Sequence, residues 1–257
     1  MTQPSKAASV NFVDTAENSR AICAPLLEAA ANSAPLSFDV RVALDLEGRD
    51  LGPSGAIAIL SLATSQNDVA LFDFADPAVA KALLDDGLLR DVLTHPGIAK
   101  LTFDCRMDVG ALFYQFDVKV AHAVDLQIAA VLAYNPTGRY LMGMHKTFTD
   151  KLRLFTPDDA KVKDLGRKLF APEAGGDYET WFKRPMATEL QLYCAVDVKY
   201  FFAAAQLLLR QQLLLGKRSR LWRGCRRIHR LAQSFWLRSQ RESIGRQLGT
   251  WPRRPLA

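Results

Sequence analysis

Four carboxylates and a tyrosine stand at spacings that suit the chemistry of a divalent cation. Asp45 and Glu47 lie in Arg-Val-Ala-Leu-Asp-Leu-Glu-Gly, Asp108 in Asp-Cys-Arg-Met-Asp, and Tyr193 and Asp197 in Leu-Tyr-Cys-Ala-Val-Asp-Val. An apolar run that carries Asp-x-Glu reads as a strand, in which residues two apart share a face. Both carboxylates then project from one side, with Val42, Leu44 and Leu46 on the other. Tyr193 and Asp197 are four apart in a helical pattern, so they stack one turn apart on one helical face. Carboxylates that converge repel one another, and a fold tolerates this mainly when cations neutralise them. Hard oxygen ligands select Mg²⁺ or Mn²⁺ over zinc. These residue types point to metal-dependent hydrolysis of a phosphodiester.

Positioning such a set requires strands and helices in a definite order, and the pattern supplies an α/β one. Residues 9–15 read as a short strand and residues 19–31 as a helix. Core strands are expected over residues 41–47, 55–63 and 68–74. Their apolar and β-branched runs, broken by Gly-Pro-Ser-Gly and Ser-Gln-Asn-Asp, predict an antiparallel meander. A helix over 77–93, ended by His95-Pro96-Gly97, leads to a strand over 98–103, a helix over 107–116 and a strand over 119–124. From Asp125 onward the chain reads as mostly helical. Three meandering strands followed by strand–helix–strand describe one sheet flanked by helices. The last helix is expected to start at Thr188 with a capping box to Gln191 and to run to about Leu214, anchored through Leu190, Tyr193 and Val196.

Composition excludes several function classes. The chain has 257 residues, 49% hydrophobic and 23% charged, as expected of a globular protein that buries a core without disulfides. Cys23, Cys105, Cys194 and Cys225 are scattered with no Cys-x-x-Cys pair, which predicts a reduced intracellular setting, cytoplasmic or nuclear, and no structural zinc. The start, Met-Thr-Gln-Pro-Ser-Lys, lacks the apolar core of a signal peptide, and no apolar run is long enough for a membrane span. His95, His122, His145 and His229 show no ligand spacing. Charge is placed unevenly. Residues 217–257 hold twelve Lys/Arg against Glu242 alone, a net +11, whereas the rest of the chain is net −5. Trp222, Trp236 and Trp251 also lie in that tail. Arginine with interleaved aromatics suits phosphate contact and base stacking on single strands, with Arg220, Trp222, Arg223, Arg226, Arg227 and Arg230 as the candidates. A solvated tail or localisation signal is the rival reading.

The ordered set Asp-x-Glu, helix-borne Asp, Tyr-x-x-x-Asp resembles the DEDDy branch of the 3′→5′ exonucleases. Asp-Tyr-Glu-Thr-Trp-Phe-Lys-Arg-Pro-Met, residues 177–186, is similar to the Asp-Trp-x-x-Arg-Pro-Leu segment that precedes the third motif in ribonuclease D-type enzymes. Residues 104–108 and 170–176 are similar to the exonuclease 3′-5′ domain-containing, Egalitarian-like subgroup. The similarity spans residues 42–214. It implies a ribonuclease H-like mixed five-stranded sheet flanked by helices and stops before the tail, so the chain is expected to divide into an N-terminal extension (1–36), an exonuclease domain (37–216) and a basic tail (217–257). It also implies two divalent cations, Mg²⁺ or Mn²⁺, held by Asp45, Glu47, Asp108 and Asp197. Asp45 would bridge both ions, Glu47 and Asp197 would complete the nucleophile side, and Tyr193 would orient the attacking water. Asp104 competes with Asp108; the family spacing selects Asp108 and leaves Asp104 as a helix cap. Phe103 departs from the His that subgroup members often carry there. Asp125 is expected to cap a helix, and Trp181, Arg184 and Pro185 to be structural, with Arg184 on a carboxylate or backbone carbonyl. The implied activity is release of nucleoside 5′-monophosphates from the 3′ end of RNA or single-stranded nucleic acid. The alternative is a nuclease-derived binding module that has lost activity. A polymerase proofreading unit and an integrase-like transferase fit less well, the first for want of a polymerase domain and the second because Tyr-x-x-x-Asp is not its pattern.

Overall fold

The computed structural model describes residues 9–65, 68–134 and 141–214. Among them, six strands form one mixed sheet in the order β1-β4-β3-β2-β5-β6. The strands are β1 (Ser9–Val13), β2 (Val40–Arg49), β3 (Ala56–Ser65), β4 (Asp68–Asp73), β5 (Ile98–Thr102) and β6 (Ala123–Asp125). β2, β3 and β4 form the expected antiparallel meander; β5 joins β2 in parallel, and β6 joins β5. β3, flanked on both sides, is buried from Ile57 to Ala63, as a strand covered on both faces must be.

The helices are α1 (Ala16–Ala30), α2 (Pro77–Asp85), α3 (Leu89–Thr94), α4 (Arg106–Phe116), α5 (Leu126–Tyr134), the single turn α6 (Met144–Lys146), α7 (Pro157–Phe170), α8 (Thr188–Lys199) and α9 (Phe201–Leu214). They bury the two faces of the sheet separately. Val42, Leu44 and Leu46 of β2 pack with Cys23, Leu83, Leu89 and Ala111 of α1–α4. Ala43, on the opposite face, packs with Ala129, Leu190, Cys194 and Phe201 of α5, α8 and α9. The side of β2 that carries Asp45 and Glu47 is therefore the side covered by α8.

Four expectations need correction. The sheet has six strands, not five, because β1 pairs in parallel with β4 along its whole length, so residues 9–13 form an edge of the sheet. The helix expected over 77–93 is two helices, since Leu88 takes a left-handed conformation with φ 64° after Gly87. The strand expected over 119–124 shrinks to Ala123–Asp125, because His122, at φ 51°, breaks the extended backbone. Thr188 does not cap the last helix: Ala187 is its N-cap without a side-chain bond, and Gln191 Nε2 instead donates to Met186 O at 2.9 Å. That helix also ends at Lys199, and α9 continues it.

Candidate active site

The strand period and the helix period bring three carboxylates together as expected. One carboxylate oxygen from each of Asp45, Glu47 and Asp197 can be chosen so that all lie within 4.8 Å of one another. β2 bulges just past them, between Glu47 and Gly48. Gly48 permits this, since a Cβ there would lie 2.1 Å from Ala56 O.

Asp197 is held by the anchoring of α8. Leu190, Cys194 and Val198 are fully buried beneath it. Ahead of the helix, the Arg184 guanidinium takes both oxygens of Asp73 (2.5 and 2.8 Å) and donates to the carbonyls of Trp181, Lys183 and Ala58. The expected partner, carboxylate or carbonyl, is therefore both. Trp181 is fully buried. The Trp-x-x-Arg-Pro segment pins the chain to the end of β4 and the start of β3, just ahead of α8.

Asp108 stands in the first turn of α4, buried, and its charge reaches Asp45 and Glu47 without joining their tight group. Asp104 takes a different part. Its carboxylate is forked by Arg106 at 2.6 and 2.9 Å, and it does not cap α4. Its backbone N–H donates to Asp125 Oδ1, which also accepts from Gln127 N at 2.8 Å, so Asp125 caps the start of α5 as expected.

Electrostatics identify this as a site short of positive charge. Burial, then the charges of Asp197, Glu47 and Asp108, push Asp45 well above the usual carboxylate range. Burial and Asp197 push Glu47 up to about 8, and burial with Asp104 and Asp125 does the same to Asp108. Asp197 is also raised by burial, against the opposing pull of Lys163. Tyr193 is pushed above the ordinary phenol value by burial and by the same three carboxylates. Carboxylates that are drawn out of water and repel one another form a donor set for hard divalent cations.

Two residues at the site carried no motif in the sequence. Lys163 of α7 places Nζ 2.5 Å from both oxygens of Asp197 and 3.2 Å from the Tyr193 ring centroid. It is a protein cation on one member of the cluster, and its charge opposes the raised proton affinity of Asp45, Glu47 and Asp197. Gly166, one turn on, lets α7 touch Tyr193: a Cβ there would lie 2.7 Å from Tyr193 Cδ2. The only available signal was the stripe Asp159, Lys163, Gly166, Phe170 on one face of α7. Phe170 and Trp181 complete the packing of the Tyr193 ring, with centroids 5.2 and 6.0 Å away. The six tail candidates, Arg220, Trp222, Arg223, Arg226, Arg227 and Arg230, lie outside the described residues.

Comparison with known proteins agrees with this fold. Three solved structures share the fold at low identity. Escherichia coli RNase D, described as an exoribonuclease involved in structured RNA processing, aligns at TM-score 0.62 and 18% identity over 88% of this chain and 51% of its own. Brucella melitensis NrnC, solved with bound Mg²⁺, aligns at 0.61 and 15% over 90% of this chain and 94% of its own. Trypanosoma brucei RNase D, solved as a GMP complex, aligns at 0.59 and 24% over 77% and 56%. The chain thus spans about half the length of the RNase D structures and nearly all of NrnC. No curated protein matches it by sequence. The family model described as 3′-5′ exonuclease matches residues 10–213, most of the chain, and the chain belongs to that family of 3′→5′ exonucleases.

Proposed function

We propose that this exonuclease uses two divalent cations, Mg²⁺ or Mn²⁺, to remove nucleoside 5′-monophosphates from the 3′ end of RNA or single-stranded nucleic acid. The observation that carries the reading is the convergence of Asp45, Glu47 and Asp197 within 4.8 Å, with Asp108 and Tyr193 facing them. When bound, the cations supply Lewis-acid stabilisation of the attacking and leaving oxygens in an in-line displacement at phosphorus. Asp45, Glu47 and Asp197 would hold one ion, with Asp45 shared to a second that Asp108 approaches from α4. The Tyr193 phenol would orient the attacking water by hydrogen bond. Phe170, Trp181 and Gly166 fix its ring so that the hydroxyl has one position to offer.

Single-strand substrate, the Egalitarian-like subgroup and the division at residues 36 and 216 belong to the same proposal. So does substrate contact by the basic tail. The scattered cysteines, of which Cys23, Cys105 and Cys194 are buried, support an intracellular setting. Among the described residues no helix is long and apolar enough to cross a membrane. Degradation of 3′- and 5′-labelled RNA and DNA, with and without Mg²⁺ or Mn²⁺, tests the proposal. The expected result is metal-dependent release of 5′-mononucleotides from the 3′ end, lost on chelation and in Asp45→Asn. Binding without cleavage under every metal condition would favour the inactive-module alternative.

A further inference from the structure

The carboxylate cluster already faces a cation that the chain itself supplies. Lys163 Nζ stands 2.5 Å from Oδ1 and Oδ2 of Asp197, so both oxygens of the most buried carboxylate in the group are turned to the ammonium. The Asp197 side chain is 4% exposed and that of Lys163 is 23%. The ammonium also lies over the face of Tyr193. The ammonium pairs with the one carboxylate of the cluster that comes from α8, and its charge is also felt by Asp45 and Glu47, so any cation that binds Asp197 must compete with it.

The backbone beneath Lys163 is fixed. Asp159, one turn earlier, closes a capping box with Thr156 at the start of α7 and accepts hydrogen bonds from Lys199 and from Tyr200 Oη at 2.7 Å. The start of α7 is thereby tied to the end of α8. What can move is the lysine side chain, four flexible carbons with partial access to solvent.

Resting on the metal-site reading above, we propose that Lys163 is a built-in counter-ion of the active site in its metal-free state. It neutralises Asp197 in the metal-free enzyme and must withdraw when a divalent cation takes the Asp45–Glu47–Asp197 cluster. Lys163 then has two opposite effects on the same site. It stabilises the unloaded fold by relieving carboxylate repulsion, and it raises the cation concentration needed for loading, because the metal must displace a charge already at contact distance.

The test uses the full chain, purified with Mn²⁺ and then stripped by chelation, as wild type, Lys163→Met, Lys163→Gln and Lys163→Arg. Mn²⁺ affinity is measured by calorimetry, and melting temperature with and without saturating Mn²⁺. Lys163→Met and Lys163→Gln are expected to melt lower than wild type without metal and to bind Mn²⁺ on the order of ten-fold more tightly. Their melting deficit should shrink or reverse at saturation. Lys163→Arg, which keeps the charge, should bind no more tightly than wild type. Equal or weaker Mn²⁺ affinity in both neutral variants, with a melting deficit that metal leaves unchanged, would make Lys163 a structural residue and overturn this inference alone. Failure of every protein, wild type included, to bind Mn²⁺ would overturn the metal-site reading together with it.

Discussion

Asp45, Glu47 and Asp197 form a site in which stability and chemistry oppose each other, and single substitutions should separate them. Glu47 titrates at about 8 in the fold against a usual 4.5. Between those values the folded chain holds more protons than the unfolded one, so metal-free stability falls as pH rises from about 4.5 to about 8. Asp45, pushed well above its usual range, adds its own part to that slope; Asp45→Asn removes this titrating group and should flatten the slope, raising metal-free stability at pH 8 while abolishing hydrolysis. Melting curves across the pH range in chelator check the first effect, and a nucleotide-release assay the second. Asp197→Asn should also abolish hydrolysis but should destabilise, because it strips Lys163 of its partner. A rise in melting temperature for Asp197→Asn would contradict the pairing seen here. Tyr193→Phe keeps the ring packing and loses only the hydroxyl. It should cost at least ten-fold in kcat and leave Mn²⁺ affinity nearly unchanged. A variant that loses its metal instead would show the phenol to be a ligand.

At the scale of elements, α7 and α8 act as one clamp on the Tyr193–Asp197 face, and a pair of glycine substitutions tests it. In Gly166→Ala the new Cβ would meet Tyr193 at 2.7 and 2.8 Å, so α7 must back away. Overpacking of this kind costs about 1–3 kcal/mol, and the helix-propensity gain of about 1 kcal/mol offsets only part of it. Gly166→Ala should therefore lower the melting temperature and reduce kcat more than it changes KM. Gly110, inside α4, has open space where its Cβ would be, so Gly110→Ala should gain up to about 1 kcal/mol from propensity alone. Equal effects at the two positions would remove the clamp from the explanation. These elements also mark where the sequence was legible. Asp45 and Glu47 could be read because a two-residue period puts them on one face whatever packs above. Tyr193 and Asp197 could be read for the same reason at the helical period. Lys163 could not, because its partner lies 34 residues away and α7 reads simply as a polar helix. The break between α8 and α9 falls in Lys-Tyr-Phe-Phe, with neither glycine nor proline. Lys199 and Tyr200 both reach Asp159 of α7, so that end is tied by contacts distant in sequence. Similarly, residues 9–13 look like an isolated short strand until β4 gives them an edge to join.

For the whole molecule, charge and chemistry are assigned to different parts of the chain. The residues before 217 carry a net −5 and include the buried carboxylates, so they repel polyphosphate at long range except where cations are bound. Residues 217–257 carry a net +11 with three tryptophans. Deleting them therefore removes the chain's main source of long-range attraction and leaves every residue of the candidate active site in place. Affinity for a charged strand depends on the number of phosphates neutralised, with a log–log salt slope of about −0.7 per contact on single strands. If the tail contacts substrate, the truncated protein should bind a labelled single strand more weakly at low salt and with a shallower slope. Turnover of a short strand at saturating concentration should stay nearly unchanged, since the barrier is set at the carboxylates, all of which precede the tail in sequence. A tail that serves only for localisation predicts a small uniform loss of affinity and the same slope. Titrations at several salt concentrations, with and without residues 217–257, separate the two, and equal slopes would end the substrate-binding assignment of Arg220, Trp222, Arg223, Arg226, Arg227 and Arg230.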